Sequence, residues 1–169
     1  MTRLPLNDAR WGELMSRNGK ADFVPKRLEQ LLQQPDDLVA FQDLWPVLCS
    51  EGTAWSAAYA AAPYIIEIAQ KLSPEQRFEH VFFIGYVAQS ECFDSGESFR
   101  LQPYLMECYH HALREALALL GATLVCTHDA DETRHLLASA SALKGHRALA
   151  NAIEHLDCGC PHCGKEILS

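Results

Sequence analysis

Apolar residues recur every three or four positions along this chain of 169 residues, which is the spacing of amphipathic helices. The alternation of apolar and polar residues that is typical of strands is almost absent. Helix-capping residues precede several of the apolar stripes, and glycine or proline follows several of them. The pattern predicts an all-α protein of about eight helices, many joined by short turns.

Local signals place the predicted helices. Asn7 is the predicted cap of the first helix, which would include Trp11, Leu14 and Met15. Further helices are predicted after Asp22 and from about Asp36, and their ends are marked in the sequence by Pro35 and Gly52.

The second half has equally clear signals. Ser73–Gln76 matches a capping box and predicts the start of a fifth helix. A sixth is predicted over 103–120, with its end at Gly121. Asp129 is the predicted cap of a seventh and Gly145 its stop. An eighth helix, over 146–156, leads into a cysteine-rich tail, so we expect a helical domain at 1–156 and a tail at 157–169.

The helix that follows Gly52 is the most informative segment. Fifteen residues from Gly52 to Ile66 carry no charge, and the alanines at 57, 58, 60, 61 and 62 allow other helices to approach closely. Pro63 removes one backbone hydrogen bond and is expected to bend this helix. Helix pairs also recur at about 35 to 45 residues, as in two-helix repeats. The pattern favours stacked, HEAT-like helical hairpins over an irregular bundle, which is the alternative.

This segment and the tail resemble those of small bacterial HEAT-like helical proteins. A Leu-Trp pair, a Gly-Thr turn, an Ala-rich helix with proline and a CPxCG-like tail stand in the same order. The resemblance covers about 30 residues and the tail, and it implies the HEAT-like fold. Some members of that group are regarded as immunity proteins against secreted bacterial toxins, which implies a protein-binding role. The matching residues are Leu44, Trp45, Leu48, Cys49, Gly52, Thr53, Ala57, Ala58, Tyr59, Ala61, Pro63, Ile65, Glu67, Ala69, Cys160, Pro161, His162, Cys163 and Gly164.

The composition indicates the cellular compartment in which the protein acts. No apolar run follows the basic residue near the N-terminus, and the longest uncharged stretch is shorter than the ~20 residues of a membrane span. Four of the seven cysteines are scattered through apolar helical patterns, where buried thiols are expected. We therefore predict a cytoplasmic protein.

The charge is concentrated in the middle of the chain. Residues 28–99 carry Lys71 and Arg77 against eleven Asp and Glu, a net charge of −9, whereas the whole chain carries −8. This disfavours nucleic acid as a ligand and favours a basic protein partner, although a solvated acidic surface is an equal alternative. The predicted partner-binding residues are Asp36, Asp37, Asp43, Glu51, Asp94 and Glu97.

The tail contains the strongest metal-binding pattern. Cys158, Cys160 and Cys163 have the spacing of a zinc knuckle, and His155 or His162 would supply the fourth ligand of a structural zinc site. A complete zinc ribbon would carry a second CxxC pair, which this chain lacks. A metal-free reduced tail and a redox role are the alternatives.

Two Glu-x-x-His pairs, Glu107 with His110 and Glu132 with His135, match half of a di-iron site. Such pairs arise by chance in a chain with this many Glu and His residues, so polar helix faces are the favoured interpretation.

The sequence thus predicts a protein that is not an enzyme: an immunity or inhibitor protein that neutralises a basic toxin domain through an acidic face. The alternative is a metal-dependent or redox enzyme that uses the helix histidines and the cysteine tail.

Overall fold

The computed structural model describes residues 3–92 and 102–156, and within these ranges the chain is mostly helical. This confirms the predicted all-α class. None of the helices in the described ranges is long and apolar enough to cross a membrane. A short 3₁₀ helix (Ala9–Glu13) is followed by α1 (Val24–Gln33), α2 (Leu38–Leu48), α3 (Ser56–Lys71), α4 (Phe78–Gln89), α5 (Pro103–Cys126), α6 (Ala130–Leu143) and α7 (Arg147–Glu154).

In the described part of the chain, five two-residue strands supplement the helices. They are β1 (Met15–Ser16), β2 (Gly19–Lys20), β3 (Cys49–Ser50), β4 (Thr53–Ala54) and β5 (Glu91–Cys92). β1 and β2 form one antiparallel hairpin, β3 and β4 a second, and β5 pairs with β4 in parallel. Strands of two residues are too short to show alternation, which is why the sequence pattern did not predict them.

The helices lie in two rows. In the first row α3 lies between α1 and α5, and in the second α4 contacts α6 and α7. The helix α2 belongs to the second row, because the Phe41 and Trp45 rings pack edge-on against the Phe83 ring of α4. Each pair of consecutive helices, α1/α2, α3/α4 and α5/α6, therefore lies beside the next pair. These contacts do not by themselves establish a HEAT-like repeat.

Helix α3 forms the centre of the core, as its apolar composition predicts. Twelve of its sixteen residues are buried, and the helix continues through Pro63. Ala58 and Ala61 are fully buried. Because a methyl side chain keeps the backbone accessible to neighbours, four other helices contact α3.

Two predicted helix starts were wrong. Asp8, not Asn7, caps the first helical segment by accepting a hydrogen bond from the Arg10 N–H, and this segment is a 3₁₀ helix that ends before Met15. The Ser73–Gln76 box closes only one turn, in which the Gln76 N–H donates to the Ser73 carbonyl at 3.0 Å. Helix α4 begins later, at Phe78, because the Arg77 guanidinium donates to the Leu72 and Ser73 carbonyls and stabilises that turn.

The predicted end of α5 was also wrong, whereas both ends of α6 are confirmed. Helix α5 continues through Gly121 to Cys126, since packing of its buried residues outweighs a glycine penalty of about 1 kcal/mol. The Asp129 carboxylate caps α6 by accepting from the Glu132 N–H at 2.9 Å. Gly145, with φ of +85°, follows the C-terminus of α6.

Candidate functional site

A cleft of about 340 Å³ lies where the starts of α2, α4 and α6 meet the turn after α3. We call it the acidic cleft and define it by Asp36, Glu75, Glu79, His80 and Glu132, which line it. None of its lining residues is Lys or Arg. The carboxylates come from the turn before α2, the turn after α3, helix α4 and helix α6, so the cleft depends on the tertiary fold.

His80 is the buried polar residue of this cleft. Its side chain is 1% exposed, and neither ring nitrogen has a hydrogen-bond partner. The ring stacks on Phe41 with centroids 4.1 Å apart, which fixes its plane. Burial lowers the pKa of His80 to about 4, so the imidazole is neutral at pH 7 and offers one donor and one acceptor.

The carboxylates of the acidic cleft lie nearer to solvent. Asp36 and Glu75 are exposed, whereas Glu79 and Glu132 are half-buried. Hydrogen bonds from its own backbone N–H and from Ser73 hold the pKa of Glu75 below the usual range. With four carboxylates and no lysine or arginine lining it, the cleft is suited to a cation.

Only some of the predicted partner-binding residues lie together. Asp36 lines the acidic cleft, whereas the Asp37 carboxylate caps α2 by accepting from the Ala40 N–H at 3.0 Å. Asp43 is exposed on α2. Asp37 thus has a structural role in addition to any role in binding.

The remaining predicted partner-binding residues lie elsewhere. Glu51 occupies the β3–β4 turn with φ of +52°, and its carboxylate lies 3.6 Å from the Arg17 guanidinium. This turn follows the end of α2, whereas Asp36 precedes its start, so the length of the helix separates Glu51 from the acidic cleft. Asp94 and Glu97 lie outside the described residues.

The predicted zinc ligands can be placed only in part. His155 is exposed and follows the last residue of α7, and its N–H donates to the Asn151 carbonyl. Cys158, Cys160 and Cys163 lie outside the described residues. The zinc site therefore stays a prediction.

The two Glu-x-x-His pairs do not form a metal-binding group in the described ranges. Glu107 and His110 are exposed on α5, whereas the His135 ring on α6 stacks on Phe82 with centroids 4.6 Å apart. Among residues 3–92 and 102–156, no three His, Cys, Asp or Glu side chains are close enough to hold a metal ion.

A second cleft, of about 280 Å³, lies between α3 and α5. Its charged groups already have partners: the Arg3 guanidinium lies 2.5 Å from the Glu67 carboxylate, and Gln70 donates to Glu115 at 2.5 Å. Burial raises the pKa of Glu67, but Arg3 and Lys71 outweigh this effect, so its pKa lies below the usual range. The first contact connects the N-terminal segment to α3 and the second connects α3 to α5, and we assign both a structural role.

Sequence reasoning did not single out His80. It considered Glu132 only as a metal ligand together with His135, and Glu75 and Glu79 only as members of the acidic block 28–99. One signal was available, because His80 falls at the same helical spacing as the buried Phe83, Ile84 and Val87. A histidine in an apolar stripe indicates a buried imidazole. The sequence contains no comparable signal that Glu132, on α6, lies beside it.

In three comparisons with known proteins, no protein-family model, no curated protein and no solved structure matched this chain. The functional argument therefore depends on the residues of the acidic cleft and their surroundings.

Proposed function

We propose that this chain is a HEAT-like helical protein that acts in the cytoplasm as an immunity or inhibitor protein, by binding a basic toxin domain. The stacked arrangement of α1/α2, α3/α4 and α5/α6 supports the HEAT-like description. The resemblance of the 44–69 segment to small bacterial helical proteins supports the immunity role.

The acidic cleft is the observation that carries the proposal. Four carboxylates line it without a lysine or arginine. Leu38, which also lines it, is 41% exposed, and Val39, the next residue of α2, is 70% exposed. Exposed apolar residues bordered by charge of one sign are typical of surfaces that bind a protein of opposite charge.

The test uses three forms of the chain as bait in a lysate of the native host: the parent, Asp36→Lys and Glu107→Lys. Both substitutions change the net charge equally, but Glu107 lies on α5, outside the acidic cleft. A basic protein recovered by the parent is purified, and its association rate is measured at low and high salt. We expect association to slow as salt rises, and Asp36→Lys to lower the rate several-fold more than Glu107→Lys does.

The immunity role has its own readout. The recovered partner, expressed alone, should arrest growth of a test strain, and co-expression of the parent chain should restore growth. Recovery of no basic protein, or association that is indifferent to salt and to Asp36→Lys, would refute the proposal. A partner that is not toxic would refute the immunity role alone.

A further inference from the structure

The His80 ring lies at the acidic cleft with both nitrogens unsatisfied. Buried polar atoms in native proteins nearly always have hydrogen-bond partners, and each exception requires an explanation. The stack on Phe41 fixes the plane of the ring, since the two ring centroids lie only 4.1 Å apart. A hydrogen-bond donor in the cleft would supply the partner that the acceptor nitrogen lacks.

The surroundings of His80 define the charge of that ligand. Asp36, Glu75, Glu79 and Glu132 surround the cleft, and no basic side chain lines it. A neutral imidazole can accept one hydrogen bond, which suits a cationic donor. The same four carboxylates would repel an anion.

The shape and lining of the cleft favour an arginine side chain over a compact cation. Leu38, Leu72 and Phe78 line it together with the charged residues. An arginine can lay its methylene groups along apolar side chains while its planar guanidinium presents five donors to several acceptors. The volume of about 340 Å³ lies at the lower end of the range for small-molecule pockets, which is sufficient for one long side chain.

We propose that the acidic cleft binds one arginine side chain of the basic partner, with His80 and the surrounding carboxylates accepting its hydrogen bonds. The inference rests on the proposed function. A protein-borne arginine is favoured over a free one because the exposed Leu38 and Val39 would contact a partner surface and would give a small free cation no advantage.

The first experiment probes the cleft without the partner. The full chain, labelled with ¹⁵N at histidine, is titrated with N-acetyl-arginine amide and, separately, with the citrulline analogue, which has the same shape but no charge. We expect a saturable shift of the His80 ring resonances with the arginine compound and roughly tenfold weaker binding of the citrulline compound. Equal responses to both compounds, or no saturable shift, would overturn the proposal.

Variants then separate the cleft from the proposed function. His80→Phe keeps the ring stack and removes the nitrogens, and Glu132→Gln removes one rim charge. Each should weaken N-acetyl-arginine amide and the partner at least about threefold, whereas Glu107→Gln should leave both affinities unchanged. If the partner binds the parent and both cleft variants equally, the inference fails and the proposed function stands. If the arginine compound binds but no basic partner exists, the proposed function fails. The cleft would then bind a free guanidinium compound, and the assignment of the arginine to a partner protein would also be overturned.

Discussion

The His80 imidazole makes the stability of this protein dependent on pH. Its pKa falls from 6.5 to about 4 on folding because burial disfavours the charged ring. Above pH 6.5 the ring is neutral in both states. Between pH 6.5 and 4 the unfolded chain binds a proton that the folded chain excludes, so stability falls as pH falls, by up to about 1.4 kcal/mol per pH unit.

This gives a prediction for His80→Phe. The variant should be as stable as the parent or more stable at pH 7.5, since it removes a buried polar group without partners. It should lose less stability than the parent as pH falls from 6.5 to 4.5. Urea unfolding of both proteins at several pH values measures the difference, and parallel pH profiles would contradict the assigned burial of the imidazole.

Asp36 and Asp37 are neighbours with the same charge and different roles. The Asp37 carboxylate caps α2 and also accepts from the Gln30 amide at 3.3 Å, whereas the Asp36 side chain is exposed in the cleft. Asp37→Ala should therefore destabilise the chain by about 1 kcal/mol, and Asp36→Ala should change stability by less than about 0.5 kcal/mol. Equal unfolding midpoints in urea would show that the cap contributes nothing.

Contact between α4 and α6 depends on a glycine. A Cβ atom added to Gly85 would lie 2.7 Å from the Ser139 Cα and closer still to its side chain. Because a backbone atom is involved, rotation of the serine cannot relieve the clash. The two helices can approach this closely only while residue 85 has no side chain.

We predict opposite effects for the glycines at 85 and 121. Gly85→Ala should destabilise the chain by about 1 to 3 kcal/mol, since α6 would have to move away from α4. Gly121→Ala is the matched control, because Gly121 also lies within a helix but has no atom within 4 Å of the added methyl group. It should stabilise by about 0.5 to 1 kcal/mol. The measurement is thermal unfolding of both variants, and a shift in the same direction would contradict the close contact.

The elements were predictable where a local signal specified them and packing agreed. Asp129 caps α6 by a bond to an N–H only three residues away, so its sequence context was sufficient. Gly121 carries the same local signal as Gly145, but packing of α5 against its neighbours overrides it. In the Ser73–Gln76 box the Ser73 N–H donates to the Gln76 side chain, but the Gln76 N–H donates to the Ser73 backbone carbonyl and not to its hydroxyl. The box does not start α4, because contacts of Arg77 from outside it stabilise a turn.

At the scale of the whole molecule, the sequence shows how much negative charge the chain carries but not where on the surface that charge lies. The excess of acidic residues in 28–99 was visible, but the acidic cleft combines Asp36 and Glu79 from this block with Glu132 from α6. Glu51 belongs to the same block and lies at the other end of α2. Which charges share a surface depends on how the helices stack, and no spacing rule within one helix specifies that.

The cysteine tail provides a prediction about metal removal. Within the described residues, apolar side chains from Leu4 through α5 form one core. If Cys158, Cys160, Cys163 and His155 hold zinc, a chelator should release about one metal ion per chain and leave the helical content nearly unchanged. Metal analysis and circular dichroism before and after chelation test this. Loss of the helical signal on chelation would show that the core depends on the metal.

The central position of α3 has a consequence for synthesis on the ribosome. This helix ends at Lys71, but α5, which covers one side of it, is complete only at Cys126. At 5 to 20 residues per second, a ribosome needs about 3 to 11 s to make the intervening chain. During that interval the nascent chain presents uncovered alanine and isoleucine side chains, which makes this segment the natural target for a chaperone that binds growing polypeptides.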